Sequence, residues 1–523
     1  MCSLNMHKKR DSWKSRLGII LAVAGSAVGL GNFLRFPVQA AQNGGGAFMI
    51  PYFISLLLLG IPLMWIEWTV GRFGGGFGHG TAPGIFHTMW EKNRFIKYFG
   101  VIGIFGPLVI FIYYNYIASW TLAYAFFSAT GKYGANANQE SMMALLRGFQ
   151  GVEKNSFFSS LRYAYLFFLI TFSVNIFIIY KGVSGGIEKL CKIAMPILFA
   201  FGIIIAVRVL TLGTPDPSRP AWNIMNGLGF LWNPDFTALK EPKVWLAAAG
   251  QIFFTLSVGI GVILTYTSYL KKTDDVALSG LTAASTNEFA EIILGSSIVI
   301  PAAFIFFGPH QIQNIASGGA FNLGFVTMPL IFQKIAFGAF FGCLWFALLF
   351  LAGITSSVSL AQPSIAFLED EFNISKKKAV AIFGIVSFIL CQPVILLLKH
   401  GAVNEMDFWG GTFCLVLFAT IETILFGWIF GIEKAWEEIH HGSDMRIPKI
   451  YKFIIKYVTP LFLLCILVSW FWKEGLPTIA MKSIAQADKP YILAIRLMLL
   501  AMFTTLAIMV KMAWRKRPKG KKK

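Results

Sequence analysis

The sequence predicts an all-α polytopic membrane protein with twelve transmembrane helices. Three observations carry that prediction: an apolar composition, apolar runs of spanning length, and basic residues concentrated in alternate loops. Of 523 residues, 56% are hydrophobic, 13% are charged and 51 are Phe. A soluble domain carries roughly a quarter charged residues, so this chain lacks the polar surface to cover itself in water.

A run of about 20 apolar residues is long enough to cross ~30 Å of hydrocarbon. Such runs occupy residues 17–36, 49–68, 98–125, 164–180, 193–212, 244–270, 290–307, 335–360, 379–398, 408–430, 454–471 and 492–512. The first is not a secretory signal, because eleven more spans follow and glycines interrupt it. The polar stretches 128–160 and 213–243 read as extracellular loops, and 308–332 as a re-entrant or capping loop.

Charge fixes the orientation. There are 45 Lys and Arg against 25 Asp and Glu. Lys8, Lys9, Arg10, Lys14 and Arg16 precede the first span, and Arg515, Lys516, Arg517 and Lys519 follow the last. Loops after even-numbered spans are basic too, with Lys92, Arg94 and Lys97, then Lys271 and Lys272, then Lys376, Lys377 and Lys378. By the positive-inside rule both termini and these loops are cytoplasmic, in a multi-pass protein of the cytoplasmic (inner) membrane. The chain then divides into a cytoplasmic N-terminal segment (1–16), spans one to five (17–212), an extracellular loop (213–243), spans six to ten (244–430), spans eleven and twelve (431–513) and a basic cytoplasmic tail (514–523).

Several function classes drop out. No basic domain lies beyond the membrane flanks, so a nucleic-acid partner is not expected. Cys191, Cys343, Cys391, Cys414 and Cys465 lack metal-type spacing and read as buried free thiols. The glycine-rich 71–80 segment has no following Lys-Ser/Thr and reads as a flexible cytoplasmic loop, not a phosphate cradle. His79, His87, His310, His400, His440 and His441 fall at loops or span ends, so no catalytic constellation forms inside the membrane and an enzyme is not expected.

The informative defects are two broken spans. Span one contains Gly25, Gly29, Gly31 and Asn32, and span six contains Thr255, Ser257, Gly259 and Gly261. Glycine costs about 1 kcal/mol against Ala in a helix interior, and any backbone group freed in lipid must find another partner. Spans one and six correspond if the first ten form two five-helix repeats, and paired interruptions in two halves point to a transporter's binding site. Close packing through small residues is the alternative for either cluster alone.

Four segments carry a resemblance: GSAVGLGNFLRFP in span one, QIFFTLSVGIGVILTYTSY in span six, AGITSSVSLAQP in span eight and EMDFWGGT in span ten. Together they resemble the neurotransmitter:sodium symporters, in particular their bacterial leucine-transporting members, over nearly the whole chain. The resemblance implies two inverted five-helix repeats with helices one and six broken, plus two C-terminal helices. It implies a sodium-coupled symporter that imports a neutral, hydrophobic or aromatic amino acid by alternating access.

The same resemblance implies a set of ligands. One sodium ion falls to the carbonyl of Ala27, the side chains of Asn32 and Asn287, and Thr255, with the substrate carboxylate as a further ligand. A second falls to the carbonyls of Gly25, Val28 and Ala352 and the hydroxyls of Thr355 and Ser356. All are oxygens, as a hard cation requires; Thr355 and Ser356 could equally bond their own helix. The substrate carboxylate is expected at the amides near Leu30 and Gly31 and the Tyr114 hydroxyl. Its amino group is expected at Ala27, Phe254, Thr255, Ser257 and Ser356, and its side chain among Ile110, Tyr114, Phe254, Ser257, Ile260 and Leu360.

Amine-transporting relatives carry Asp where this chain has Gly29, so a substrate with a free carboxylate is expected. Ile260 and Ser26 depart from the leucine transporter, which has Phe and Asn there. Arg35 with Asp407 matches the outer gate, and Arg10 with Asp370 the inner gate, beside Trp13, Ser268 and Tyr269. Glu67 is expected to bond backbone groups exposed by the breaks, while Glu422 has no assigned role. Glu291 stands where chloride-dependent relatives have Ser, so its carboxylate replaces the chloride ion and no chloride requirement is expected. The implied partners are a small neutral amino acid and the lipid bilayer; a homodimer is compatible with the sequence. A substrate sensor and a proton-coupled carrier of the same shape are the remaining rivals.

Overall fold

The computed structural model describes residues 11–134 and 138–515. Arg10, one member of the expected inner gate, lies outside them. Ten continuous helices are long and apolar enough to cross a membrane. In chain order with the two broken helices they are α1 (Arg16–Ala27, then Gly31–Gln42), α2 (Gly46–Gly75), α3 (Ile96–Ala129), α4 (Arg162–Tyr180), α5 (Val183–Leu210), α6 (Pro242–Leu256, then Val262–Thr267), α7 (Ala277–Phe307), α8 (Gly338–Phe372), α9 (Lys376–Leu396), α10 (Ala402–Ile429), α11 (Ile450–Ile479) and α12 (Lys489–Arg515). Among the described residues these are the twelve helices expected. Five spans per repeat mean that α1 and α6 enter from opposite faces, which makes the repeats inverted.

Both breaks fall where glycines cluster. The two parts of α1 meet at 45°, after Val28 leaves helical geometry with ψ 92°. In α6 the first part ends on Ser257 in the left-handed region at φ 54°, and Gly259 and Gly261 follow at φ 78° and 80°. Glycine is required there for space as well as conformation. A Cβ on Gly261 would lie 2.5 Å from the Gly103 carbonyl oxygen, and one on Gly259 2.7 Å from that of Leu415. Glu67 on α2 accepts the backbone N–H of Gly259, so one broken peptide is satisfied from the side.

Around the breaks, α3 and α8 form a buried pair in which Gly353 admits Ala118. The lipid-facing helices are the more exposed ones: α12 is 22% buried over its apolar window and α3 83%. The 71–80 segment differs from the loop expected. Residues through Gly75 continue α2, because Gly71 and Gly75 let this helix press against the second part of α6 at Leu264 and Ser268. Cys465 is exposed and Cys343 half-buried, while Cys191, Cys391 and Cys414 are buried free thiols. The outer loops hold short capped helices, Gln139–Phe149 on Asn138 and Ile224–Trp232 on Asn223. Residues 308–332 form Pro309–Ser317 and further turns that lie over one end of the central cavity.

Candidate functional site

A cavity of about 350 Å³ sits between the two breaks. Its walls include Ala27, Leu30, Gly31, Ile110, Tyr114, Phe254, Ser257, Ile260, Ser356 and Leu360, all of them expected substrate contacts. Thr255, the remaining one, points away into a buried polar cluster. The Tyr114 hydroxyl accepts the N–H of Leu30 at 3.1 Å, which ties α3 to the break in α1. A Cβ on Gly29 would lie 3.0 Å from both Tyr114 Oη and Ser356 Oγ, so any side chain there would crowd both hydroxyls. The Ser26 carbonyl accepts from Ser257 Oγ at 3.0 Å and Ser356 Oγ at 3.1 Å, joining the two broken helices to α8.

Behind this wall Asn32, Thr255, Asn287 and Glu291 are packed together with almost no exposure. Asn32 caps its own break by accepting from Gly29 N at 2.9 Å, and donates to Asn287 Oδ1 at 2.8 Å, Glu291 Oε2 at 3.0 Å and Thr255 Oγ1 at 3.1 Å. With the amide oxygen accepting from Asn32, that arm of Asn287 also lies 3.2 Å from the Thr255 carbonyl oxygen and 3.3 Å from that of Ala27. Three oxygens facing one another repel unless the amide is turned or a cation sits among them.

The second expected ion site is only partly drawn together. Ser356 Oγ lies 3.4 Å from the Gly25 carbonyl, and a Cβ on Gly25 would touch Thr355. The Thr355 hydroxyl donates to its own helix, at Leu351 O (3.0 Å) and Ala352 O (3.1 Å). Val28 stands at the break itself.

Two donors to the Glu291 carboxylate, Gln251 and Tyr52, were not singled out by the sequence. Gln251 Nε2 donates to it at 2.9 Å and Tyr52 Oη at 3.2 Å, and Thr255 Oγ1 also donates to it. Tyr52 Oη lies 2.7 Å from Glu288 as well, so a second carboxylate shares the cluster. Glu288 and Glu291 are three residues apart on α7; that spacing was the available signal.

The expected outer gate is in place but apart. Arg35 and Asp407 both line the central cavity, yet no ion pair joins them among the described residues. The Arg35 guanidinium lies 4.2 Å over the Phe254 ring, and Asp407 accepts from Tyr113 Oη at 2.6 Å. The lining continues past them to Gln39, Gln42 and Phe321. On the opposite side the start of the chain is tied down. Trp13 Nε1 donates to Tyr266 O at 2.9 Å, Arg16 pairs with Asp275 at 2.9 Å, and Lys376 pairs with Asp11. Asp370 is half-buried near the end of α8, and Gln362 reaches the Tyr269 hydroxyl at 2.8 Å. The cavity lining therefore extends toward Gln42 and Phe321, while these ties lie on the side of the N-terminal segment. Glu422 on α10 is buried, and among the described residues neither carboxylate oxygen has a hydrogen-bond partner.

Comparison with known proteins agrees with this geometry. The profile of the sodium:neurotransmitter symporter family matches residues 10–144 and 156–516. An uncharacterised sodium-dependent transporter of Methanocaldococcus jannaschii is 31% identical, the match covering 87% of this chain and 89% of that protein. The sodium-dependent dopamine transporter of Caenorhabditis elegans is 25% identical over 88% of this chain and 80% of its own. Among solved structures, MhsT in complex with L-phenylalanine superposes with a TM-score of 0.75 at 31% identity, covering 88% of this chain and all of that one. Broken helices that expose backbone oxygens at a buried cavity, a profile matched nearly end to end and relatives named as sodium-dependent transporters make this chain a member of the sodium:neurotransmitter symporter family.

Proposed function

We propose that this protein imports a neutral, hydrophobic or aromatic amino acid together with sodium ions, without requiring chloride. The observation that carries the reading is the convergence of the Ala27 carbonyl, the Thr255 carbonyl and the Asn287 amide within 3.3 Å, beside a cavity walled by Ile110, Phe254, Ile260 and Leu360. A sodium ion among those oxygens would share the substrate carboxylate, which couples ion to amino acid directly. Apolar walls favour an uncharged side chain, since an unpaired buried charge is costly. The phenylalanine bound to the structural relative supports an aromatic or aliphatic substrate.

Glu291 supplies the negative charge near that ion, in reach of Asn32 and Thr255. In a second sodium site at Gly25, Val28, Ala352, Thr355 and Ser356, the Thr355 hydroxyl would keep donating its proton to its own helix and offer a free lone pair to the ion. Transport then proceeds by alternating access. Ions and substrate enter from the outer face, Arg35 swings from Phe254 toward Asp407, and the ties of Trp13 and Arg16 release to open the inner face. Asp370, with Arg10 of the preceding segment, belongs to that inner gate. The driving force suffices. A potential of 100 mV supplies ~2.3 kcal/mol per charge and a tenfold sodium gradient ~1.4 kcal/mol, so two ions offer roughly 7 kcal/mol, about five decades of accumulation.

Uptake of radiolabelled neutral amino acids into proteoliposomes, under inward sodium, potassium or proton gradients, tests this. Accumulation driven by sodium alone, in chloride or gluconate, is the expected result. Saturable binding without accumulation would make the protein a sensor. Proton-driven uptake without sodium would overturn the ion assignments at Asn32, Thr255 and Ser356.

A further inference from the structure

At the end of the bundle that carries the N-terminal segment, α10 and α11 cross tightly and then part. At the crossing a Cβ on Gly427 would lie 3.3 Å from the Ile455 carbonyl oxygen, and Trp428 Nε1 donates to the Lys456 carbonyl at 2.6 Å. Each helix has a π-turn here, Leu425–Ile429 and Ile454–Val458, an insertion that recurs at functional sites. Beyond the crossing the chain turns at Gly431, with φ 93°, where a Cβ would meet nothing within 4 Å. It then enters the helix Ile432–His440. Between these segments lies a cavity of about 610 Å³, separate from the central one, walled by Trp428, Gly431, Glu433, Lys434, Lys456 and Tyr457.

The chemistry of the walls is that of an anion site at a membrane interface. Lys434 and Lys456 approach from two different segments, and among the described residues neither ion-pairs with a carboxylate. Their ammonium groups lie 4.3 Å over the Phe430 ring and 5.1 Å over the Tyr457 ring. Glu433, the carboxylate among the described wall residues, pairs with Lys452 outside the walls, which leaves the two wall lysines to face the cavity. Trp428 and Tyr457 are 44% and 43% exposed. Amphipathic rings of this kind settle at headgroup level. The helix Ile432–His440 also carries Glu438 to Arg72 at 3.1 Å, and the turn after it brings Asp444 to Arg16. The cavity thus lies on the side of the N-terminal segment, the side that the positive-inside rule assigns to the cytoplasm.

We propose that this cavity binds the phosphate headgroup of an anionic phospholipid from the cytoplasmic leaflet. Lys434 and Lys456 hold the phosphate, and Trp428 and Tyr457 flank the glycerol and upper acyl chains. Basic pockets between membrane helices on the cytoplasmic side bind such headgroups. A free inorganic anion would use the lysines but leave the aromatic walls without a role. The proposal rests on membrane embedding and on the positive-inside orientation, not on which substrate is carried.

Native mass spectrometry of the full-length protein, titrated with phosphatidylglycerol or phosphatidylcholine, tests it. The wild-type protein should retain one phosphatidylglycerol in preference to phosphatidylcholine. Lys434→Gln with Lys456→Gln should weaken that retention about thirtyfold, with thermal unfolding unchanged, and the double Lys→Arg variant should keep it. Equal retention by the wild-type and Gln proteins would overturn the site, and so would loss in the Arg variant. Displacement of the lipid by inorganic phosphate would make it a small-anion site and overturn the lipid assignment. As a check independent of any variant, photoactivatable phosphatidylglycerol should label peptides containing Trp428 and Tyr457 in the wild-type protein; labelling elsewhere only would also overturn it.

Discussion

Asn32 on α1 donates its amide to the carboxylate of Glu291 on α7 at 3.0 Å, with both side chains shut away from solvent. The Glu291 carboxyl group thus stands one hydrogen bond from a proposed sodium ligand. Replacing Glu291 by Ser should make uptake depend on chloride, with activity in gluconate about 10- to 100-fold below wild type and restored by chloride. Uptake measured in the two anions checks this; equal rates in gluconate would remove Glu291 from that role.

Tyr114 touches both the broken backbone and the cavity. Tyr114→Phe removes the acceptor for Leu30 N–H and the hydroxyl expected at the substrate carboxylate. A single lost hydrogen bond of ~1.5 kcal/mol corresponds to roughly tenfold weaker substrate binding. Scintillation proximity binding should register that change, while the sodium dependence of the residual binding is retained.

Gly29 lines the cavity beside Tyr114, the proposed partner of the substrate carboxylate. Gly29→Asp would set a like charge against it, a clash of several kcal/mol, so amino-acid uptake should fall at least about 100-fold. Size-exclusion chromatography of the variant separates the charge effect from misfolding caused by crowding of Tyr114 and Ser356. Retained uptake would show that the carboxylate binds elsewhere.

The Arg35 guanidinium lies 4.2 Å over the Phe254 ring, a contact in which a planar guanidinium and a compact ammonium are not interchangeable. Arg35→Lys should slow uptake roughly three- to tenfold while changing equilibrium substrate binding less. Parallel uptake and binding measurements separate the two. An equal fall in both would assign Arg35 to the binding site instead of to closure.

Glu405 at the outer end of α10 is buried and is held by Arg496 of α12 at 2.6 Å and by Trp409 Nε1 at 2.7 Å. Arg496 also donates to the carbonyls of Thr478 and Ile479. Arg496→Met should destabilise by ~3–5 kcal/mol because it strands a buried charge. Adding Glu405→Gln should recover part of that loss in a thermal unfolding assay. No recovery would place the cost in the lost carbonyl contacts.

Much of this protein is written locally in its chain. Twelve spans and the two breaks follow from run length and glycine clusters, because the bilayer demands continuous apolar helices and penalises every exception. The cavity walls at Ile110, Tyr114, Phe254, Ile260 and Leu360 were legible too, through motifs that stand at those breaks.

Tertiary structure alone decided what those residues touch. Nothing local to Glu291 shows that Tyr52 and Gln251 donate to it or that Glu288 shares Tyr52, since these contacts join α2, α6 and α7. The 71–80 glycines read as a loop because glycine disfavours helix, yet packing of α2 against α6 keeps them helical through Gly75. The gate pair was identifiable by type, but only the packed bundle shows Arg35 on Phe254 and Asp407 on Tyr113. Local sequence determines which segments must span and where they break; side-chain pairing across helices depends on how twelve such segments settle against one another.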